Sequence, residues 1–258
     1  MNKTIIALAL ATASLSASAA PVDTWFYGIS TQWDSAKFTT SGTGTKSQTA
    51  TQISWGGSSD SQRSSLAISD APFFGWKVGT IDTNGFAGDA NDITHTNNAI
   101  SSSFATLISG EMGVNVGLSP LVLPSAYFPL SYAFSFKFFE TANNGNCRWS
   151  NGNANKGKDC DDIFVFAGDT SKSFTYAGET YVASLGFDEK FIALTSDQCG
   201  KFFQSGSGCF ALITDEGAKT TGSMNLSVSR NSVPEPGTLA LLGASLIGFA
   251  AVRRRKTA

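Results

Sequence analysis

The stretch Ser131-Tyr132-Ala133-Phe134-Ser135-Phe136-Lys137-Phe138 places an aromatic ring at every second position. Side chains alternate between the two faces of a strand, so this spacing builds one aromatic face and one polar face, whereas a helix would scatter the four rings around its circumference. Shorter runs of the same kind predict strands at 24–30, 51–55, 64–69, 76–81, 100–108, 163–167, 173–176, 181–187, 191–195, 209–214 and 223–229. Gly-, Asn- and Ser-rich turns separate them, as at Asp82-Thr83-Asn84-Gly85 and Asn143-Asn144-Gly145-Asn146. No long stretch has helical spacing, and no repeat of solenoid or propeller period occurs. The expected fold is all-β, an antiparallel β-sandwich of jelly-roll-like form. Residues 35–51 read as a loop or an edge strand within it.

The two ends of the chain follow other rules. Lys3 precedes an apolar stretch at 5–15 and a small-residue run, and Ala17-Ser18-Ala19 fits the cleavage pattern of a secretory signal peptide spanning 1–19. At the other end, Val233-Pro234-Glu235-Pro236-Gly237 leads into an uncharged segment at 237–252 and then Arg253, Arg254, Arg255 and Lys256. Sixteen residues make a helix of about 24 Å at roughly 1.5 Å per residue, short for a span. The basic cluster obeys the positive-inside rule, and its arginines snorkel to lengthen the reach, so a single C-terminal apolar helix held in the inner membrane is expected. The domains are then 1–19, an exported sandwich at 20–232, and an anchor at 233–258. Without Lys3 and the terminal basic residues, 13 basic face 20 acidic residues. That excess of negative charge excludes nucleic acid as a partner.

Cys147, Cys160, Cys199 and Cys209 are even in number in an exported chain, which makes disulfides the expectation. Three connectivities are open; the local pairs, Cys147 with Cys160 and Cys199 with Cys209, are favoured because each closes a polar loop that cannot pack itself. Neither pair has the short gap of a structural zinc site.

Val233-Pro234-Glu235-Pro236-Gly237, the apolar segment with Gly243 and Gly248, and the Arg-rich end together resemble the PEP-CTERM sorting signal of Gram-negative bacteria. The resemblance implies that Pro234, Glu235 and Pro236 are recognised by a membrane transpeptidase, an exosortase, and that the chain is its substrate. The two prolines keep this stretch extended beside the bilayer, where an enzyme can engage it. A second resemblance covers 52–100: Gln52-Ile53-Ser54-Trp55-Gly56, Ser64-Ser65-Leu66 and Ile93-Thr94-His95-Thr96-Asn97 are similar to the THxN family of PEP-CTERM proteins. It implies a secreted or surface-held domain, often in makers of exopolysaccharide, and carries over no chemistry.

His95 is the only histidine, so any Ser-His-Asp or Cys-His hydrolase would depend on it. The expected role is structural, with Thr94, His95 and Asn97 fixing a loop at a strand start. Asp82, Asn84, Asp89 and Asp92 gather oxygen ligands that would suit calcium, the one cofactor the sequence leaves open; a solvated Asx-rich turn is the favoured reading of them. Asp159, Asp161 and Asp162 have the same two readings, with Lys156 and Lys158 nearby. Glu111, Glu140 and Glu179 read as isolated strand-end carboxylates, offering no glycosidase pair. Trp55 and Trp76 read as core and Trp149 as the loop aromatic suited to stacking on a sugar. The expected function is therefore a non-catalytic exported protein of the surface or extracellular matrix, linked to exopolysaccharide, biofilm or envelope. The alternative is a glycan-binding, lectin-like module, with calcium or without.

Overall fold

A computed structural model of the chain describes residues 21–69, 75–122, 126–141, 161–203 and 208–231. The signal peptide, Cys147, Trp149, Asp159, Cys160, the motif at Pro234, Glu235 and Pro236, and the C-terminal apolar segment lie outside these residues.

The described strands, in chain order, are β1 (Thr24–Phe38), β2 (Thr45–Gln48), β3 (Gln52–Gly56), β4 (Arg63–Ser69), β5 (Lys77–Asp82), β6 (Gly88–Thr96), β7 (Leu107–Pro120), β8 (Phe128–Phe139), β9 (Asp162–Gly168), β10 (Ser171–Tyr176), β11 (Glu179–Phe187), β12 (Phe191–Ala193), β13 (Cys209–Thr214) and β14 (Lys219–Asn231); helix α1 (Ser196–Phe202) precedes β13. They form two seven-stranded sheets. Sheet one has the order β12-β13-β9-β8-β7-β1-β5 and sheet two β10-β11-β14-β6-β4-β3-β2. Every pairing between these strands is antiparallel. Consecutive strands stay in one sheet through two three-stranded meanders, β2-β3-β4 and β7-β8-β9. That connectivity and the strand number differ from the eight-stranded double Greek key of a jelly roll.

The aromatic alternation of β8 determines the packing. Tyr132, Phe134, Phe136 and Phe138 are all buried, facing sheet two. Trp25 meets Tyr181 edge-on at 5.0 Å, Trp55 meets Phe138 at 4.8 Å, and the Tyr132 hydroxyl donates to the Ala183 carbonyl across the gap. Such edge-to-face pairs add to the area term that dominates the core.

Two predictions need correction. The run at 100–108 is not one strand: Ser101 to Ser103 turn, Thr43 brackets Phe104 with two backbone bonds, and pairing starts only at Leu107. From there β7 runs for 14 residues. Its glycines interrupt the apolar alternation, yet they are required, because a Cβ on Gly110 would run into the Ser35 carbonyl and the Phe136 ring. Likewise the Asx-rich stretch at 82–92 is a turn only at its start. Asn84 takes the left-handed conformation there (φ 59°), and 88–96 continues as β6, a central strand of sheet two. Residues 35–51 end β1 and then supply β2, the edge strand of sheet two.

Sheet one is covered on its outer side as well at β9 and β13. Ile163, Val165 and Ala211 point away from the main core into a second cluster with Cys199, Cys209 and Phe202. Helix α1, capped by the reciprocal Thr195–Gln198 box, is stapled over these strands by the Cys199–Cys209 disulfide, Cα to Cα 5.9 Å. Burial on both faces explains why Ile163-Phe164-Val165-Phe166 is uninterruptedly apolar.

Candidate functional site

The end of β6 carries Thr94 and His95 between β4 and β14, with His95 aligned to Leu66 on one side and Thr220 on the other. His95 points into the sandwich, stacked on Trp55 at 6.2 Å and edge-on to Phe138 at 5.1 Å. Desolvation lowers its pKa to about 3, so the imidazole is neutral, and neither ring nitrogen has a hydrogen-bond partner. Thr94 shares a hydroxyl–hydroxyl bond of 2.9 Å with Thr221. Asn97, just beyond the strand, donates its amide to the Thr214 carbonyl at 3.1 Å and its backbone N–H to Ala218, while its Oδ1 is buried without a partner. Thr94 thus ties β6 to β14, Asn97 ties the chain beyond β6 to the end of β13 and to Ala218, and His95 packs β6 against β3 and β8.

A carboxylate pair lies against the same wall. Phe139 and Ile163 are register partners of β8 and β9, which brings Glu140 and Asp162 next to one another. The Trp55 indole donates to Glu140 Oε2 at 3.2 Å, and Thr141 donates its N–H at 2.8 Å and its hydroxyl at 3.2 Å to Asp162 Oδ1. Asp162 Oδ2 and the Thr214 hydroxyl are buried with no partner. Burial, followed by the charge of Asp162, raises Glu140 to about 8. Burial likewise raises Asp162 to about 7, against the two Thr141 bonds and with Glu216 adding to the rise. Asp161 rises to about 6 through burial and its bond to Asp215. Carboxyls in this setting hold protons near neutral pH, and as proton carriers Glu140 and Asp162 are the chemically distinctive groups among the described residues. Sequence reading treated Glu140 as isolated; assigning the β8–β9 pairing would have exposed the partnership.

The remaining predicted residues do not join this cluster. Asp82 accepts from the Thr24 hydroxyl at 2.7 Å, Asn84 Oδ1 accepts from the Arg230 N–H at 3.1 Å, and Asp89 and Asp92 stand on β6. Among the described residues no three His, Cys, Asp or Glu side chains come together to hold a metal ion. Glu111 is exposed on β7, Glu179 opens β11, and Trp55 is core, as are Trp25 and Trp33. Trp76 is not: it is half-buried and walls a groove of about 230 Å³ on the outer face of sheet one, with Phe26, Val78 and Tyr127. The Trp76 ring packs closely on Gly28, and the Tyr127 ring covers Gly117, where any side chain would collide with it. The Ser119 hydroxyl in its lining is buried without a partner.

None of this geometry addresses the tail, and a comparison with known families does. A PEP-CTERM protein-sorting motif matches residues 232–256. It includes Pro234, Glu235 and Pro236 and the basic residues Arg253, Arg254, Arg255 and Lys256. The motif indicates a chain that is exported and sorted to the cell surface by exosortase, a membrane enzyme. It touches none of the residues at 52–100. No curated protein matches the chain. No helix among the described residues is long and apolar enough to cross a membrane.

Proposed function

We propose that the chain is a non-catalytic exported protein of the cell surface or extracellular matrix. In this reading a signal peptide at 1–19 starts export and residues 20–232 are the delivered sandwich. Residues 233–258 hold it at the inner membrane until exosortase engages Pro234, Glu235 and Pro236. The sorting motif at 232–256 carries the reading. The burial of His95 among aromatic rings supports the absence of catalysis, since the only histidine then has no nucleophile to activate. The THxN resemblance at 52–100 supports a link to exopolysaccharide, biofilm or envelope.

The test is intact mass of the mature protein from membrane, surface and medium fractions of its host. Loss of 1–19 and of residues beyond the Pro-Glu-Pro motif is expected, and replacing Pro234 and Pro236 should leave the tail uncut. Unchanged processing in that variant would overturn the proposal.

One observation favours glycan binding as a second reading. The groove lined by Trp76, Tyr127 and Phe26 offers aromatic faces for a sugar ring and one buried hydroxyl for its polar edge. A glycan array run with and without calcium decides it: binding lost in Trp76→Ala supports it, and silence under both conditions removes it.

A further inference from the structure

The chain leaves the sandwich at Asn231, and the bonds around that point gather one end of the fold. Arg230 donates its N–H to Asn84 Oδ1, and Asn84 donates its own N–H to the Val228 carbonyl. Gly85 is bonded back to Asp82, whose carboxylate holds the Thr24 hydroxyl. Leu121 donates its N–H to the Thr24 carbonyl. The turn after β5, the exit from β7 and the last residues of β14 are therefore neighbours. This end carries the most exposed apolar side chains of the described residues: Phe86 is 99 % exposed and Val122 87 %, with Leu121 at 50 %. Isolated exposed apolar residues need no explanation, but here an almost bare phenylalanine and an adjacent Leu-Val pair project from loops at one and the same end of the fold.

The tail limits what can cover that patch. Only residues 232–236 separate Asn231 from the uncharged segment that starts at Gly237. At about 3.3–3.6 Å per residue they reach roughly 20 Å when fully extended. Strand β14 is 13 residues long, about 40 Å at roughly 3.3 Å per residue. With 237–252 in the bilayer, the far end of the sandwich cannot reach the membrane, whereas the end carrying Phe86, Leu121 and Val122 lies within reach of the headgroups.

We infer that Phe86, Leu121 and Val122 are a lipid-contacting tip that inserts into the bilayer interface and seats the sandwich while its tail is anchored. The inference rests on the tethered state proposed above. Asp23, Asp82 and Glu179 outnumber Arg230 at this end, so apolar insertion drives the contact and anionic headgroups do not.

The full chain reconstituted in phosphatidylcholine vesicles tests this, with an environment-sensitive thiol dye placed in turn at Phe86→Cys, Val122→Cys, Ser47→Cys and Leu241→Cys. Ser47 is the remote control, aligned through Ser54, Ser65 and Thr96 with Lys219 at the far end of β14. The parent chain with its four native cysteines, taken through the same reaction, supplies the background. A blue shift and loss of emission to nitroxide-bearing lipid are expected at 86, 122 and 241 and absent at 47, with no weakening in high salt. Quenching at 241 alone overturns the lipid contact and leaves the tether standing. Shielding at 86 and 122 without quenching by lipid also overturns it, pointing to a second copy as the cover. Absence of quenching at 241 overturns the tether and the inference with it.

Discussion

Trp55 and Glu140, 85 positions apart, join the two sheets through a single hydrogen bond from the indole Nε1 to Oε2 at 3.2 Å. The same indole is the surface on which His95 stacks. One side chain thus serves an apolar function on its face and a polar one at its edge, and the two can be separated by substitution.

Trp55→Phe keeps an aromatic face and removes the donor. Glu140 is then left buried without that partner, a loss of about 1–3 kcal/mol before any loss of packing is added. The apparent pKa of Glu140 should rise further, because this bond is what opposes the rise. Urea unfolding of Trp55→Phe beside Glu140→Gln and the double variant measures the coupling; additive losses would mean the bond contributes nothing.

The carboxyl pair makes stability depend on pH in a direction opposite to that of ordinary acid denaturation. Glu140 and Asp162 have folded pKa values of about 8 and about 7, above those of an unfolded carboxyl. The folded state therefore binds more protons between about pH 4 and pH 8, and the contribution, complete below about pH 4, is lost as pH rises through the folded values. Above pH 6.5 no histidine effect opposes it, so the melting temperature should fall between pH 6.5 and 8.5. The slope is about 1.4 kcal/mol per pH unit for each proton released. Glu140→Gln imitates the protonated acid and should flatten that fall; an equally steep profile in the variant would assign it to other groups.

His95 has the reverse sign. Its folded pKa of about 3 lies below the unfolded value near 6.5, so its contribution is present above pH 6.5 and lost as pH falls toward 3. In His95→Phe the ring remains and the titration is gone. The stability of that variant relative to the parent should increase steadily from pH 6.5 to 4, whatever its value at neutral pH. A pH-independent difference would show that the imidazole is not buried as the structure has it.

These linked groups also mark the limit of what the sequence discloses. The aromatic alternation of β8 and the strands at 209–214 and 223–229 are legible because one face of each is uniformly apolar, and 64–69 because Leu66 and Ile68 alternate with small residues. Strand β7 is not, since Gly110 and Gly117 occupy places where the Phe136 and Tyr127 rings leave no room for a side chain and Gly113 lies under the Asp34 carboxylate, and that information belongs to the neighbouring strands and the chain around them. Strand β6 is hidden differently: its polar residues are bonded inside the fold, Asn91 accepting from Thr31 and Thr94 meeting Thr221, so its composition resembles a loop. Glu140 and Asp162 meet through strand pairing across 21 intervening residues, and no local pattern records it. The Cys199–Cys209 pairing was readable because its span is short, but the helix it holds was not, because seven residues supply less than two periods of helical spacing.

That disulfide belongs to the second cluster alone, which separates its effect from that of the main core. Removing it in Cys199→Ala/Cys209→Ala deletes a cross-link over a ten-residue separation, typically about 2–4 kcal/mol. Helix α1 has only Cys199 and Phe202 buried, so little else holds it down. The expected result is local: amides of Ser196–Phe202 lose hydrogen-exchange protection, and Ile163 and Val165 gain solvent on their outer side. Tyr132, Phe134 and Phe136, on the inner face of β8, should keep their protection, because their partners are in sheet two and on the inner side of β9. Simultaneous loss of protection in β8 would mean that the two clusters unfold as one unit.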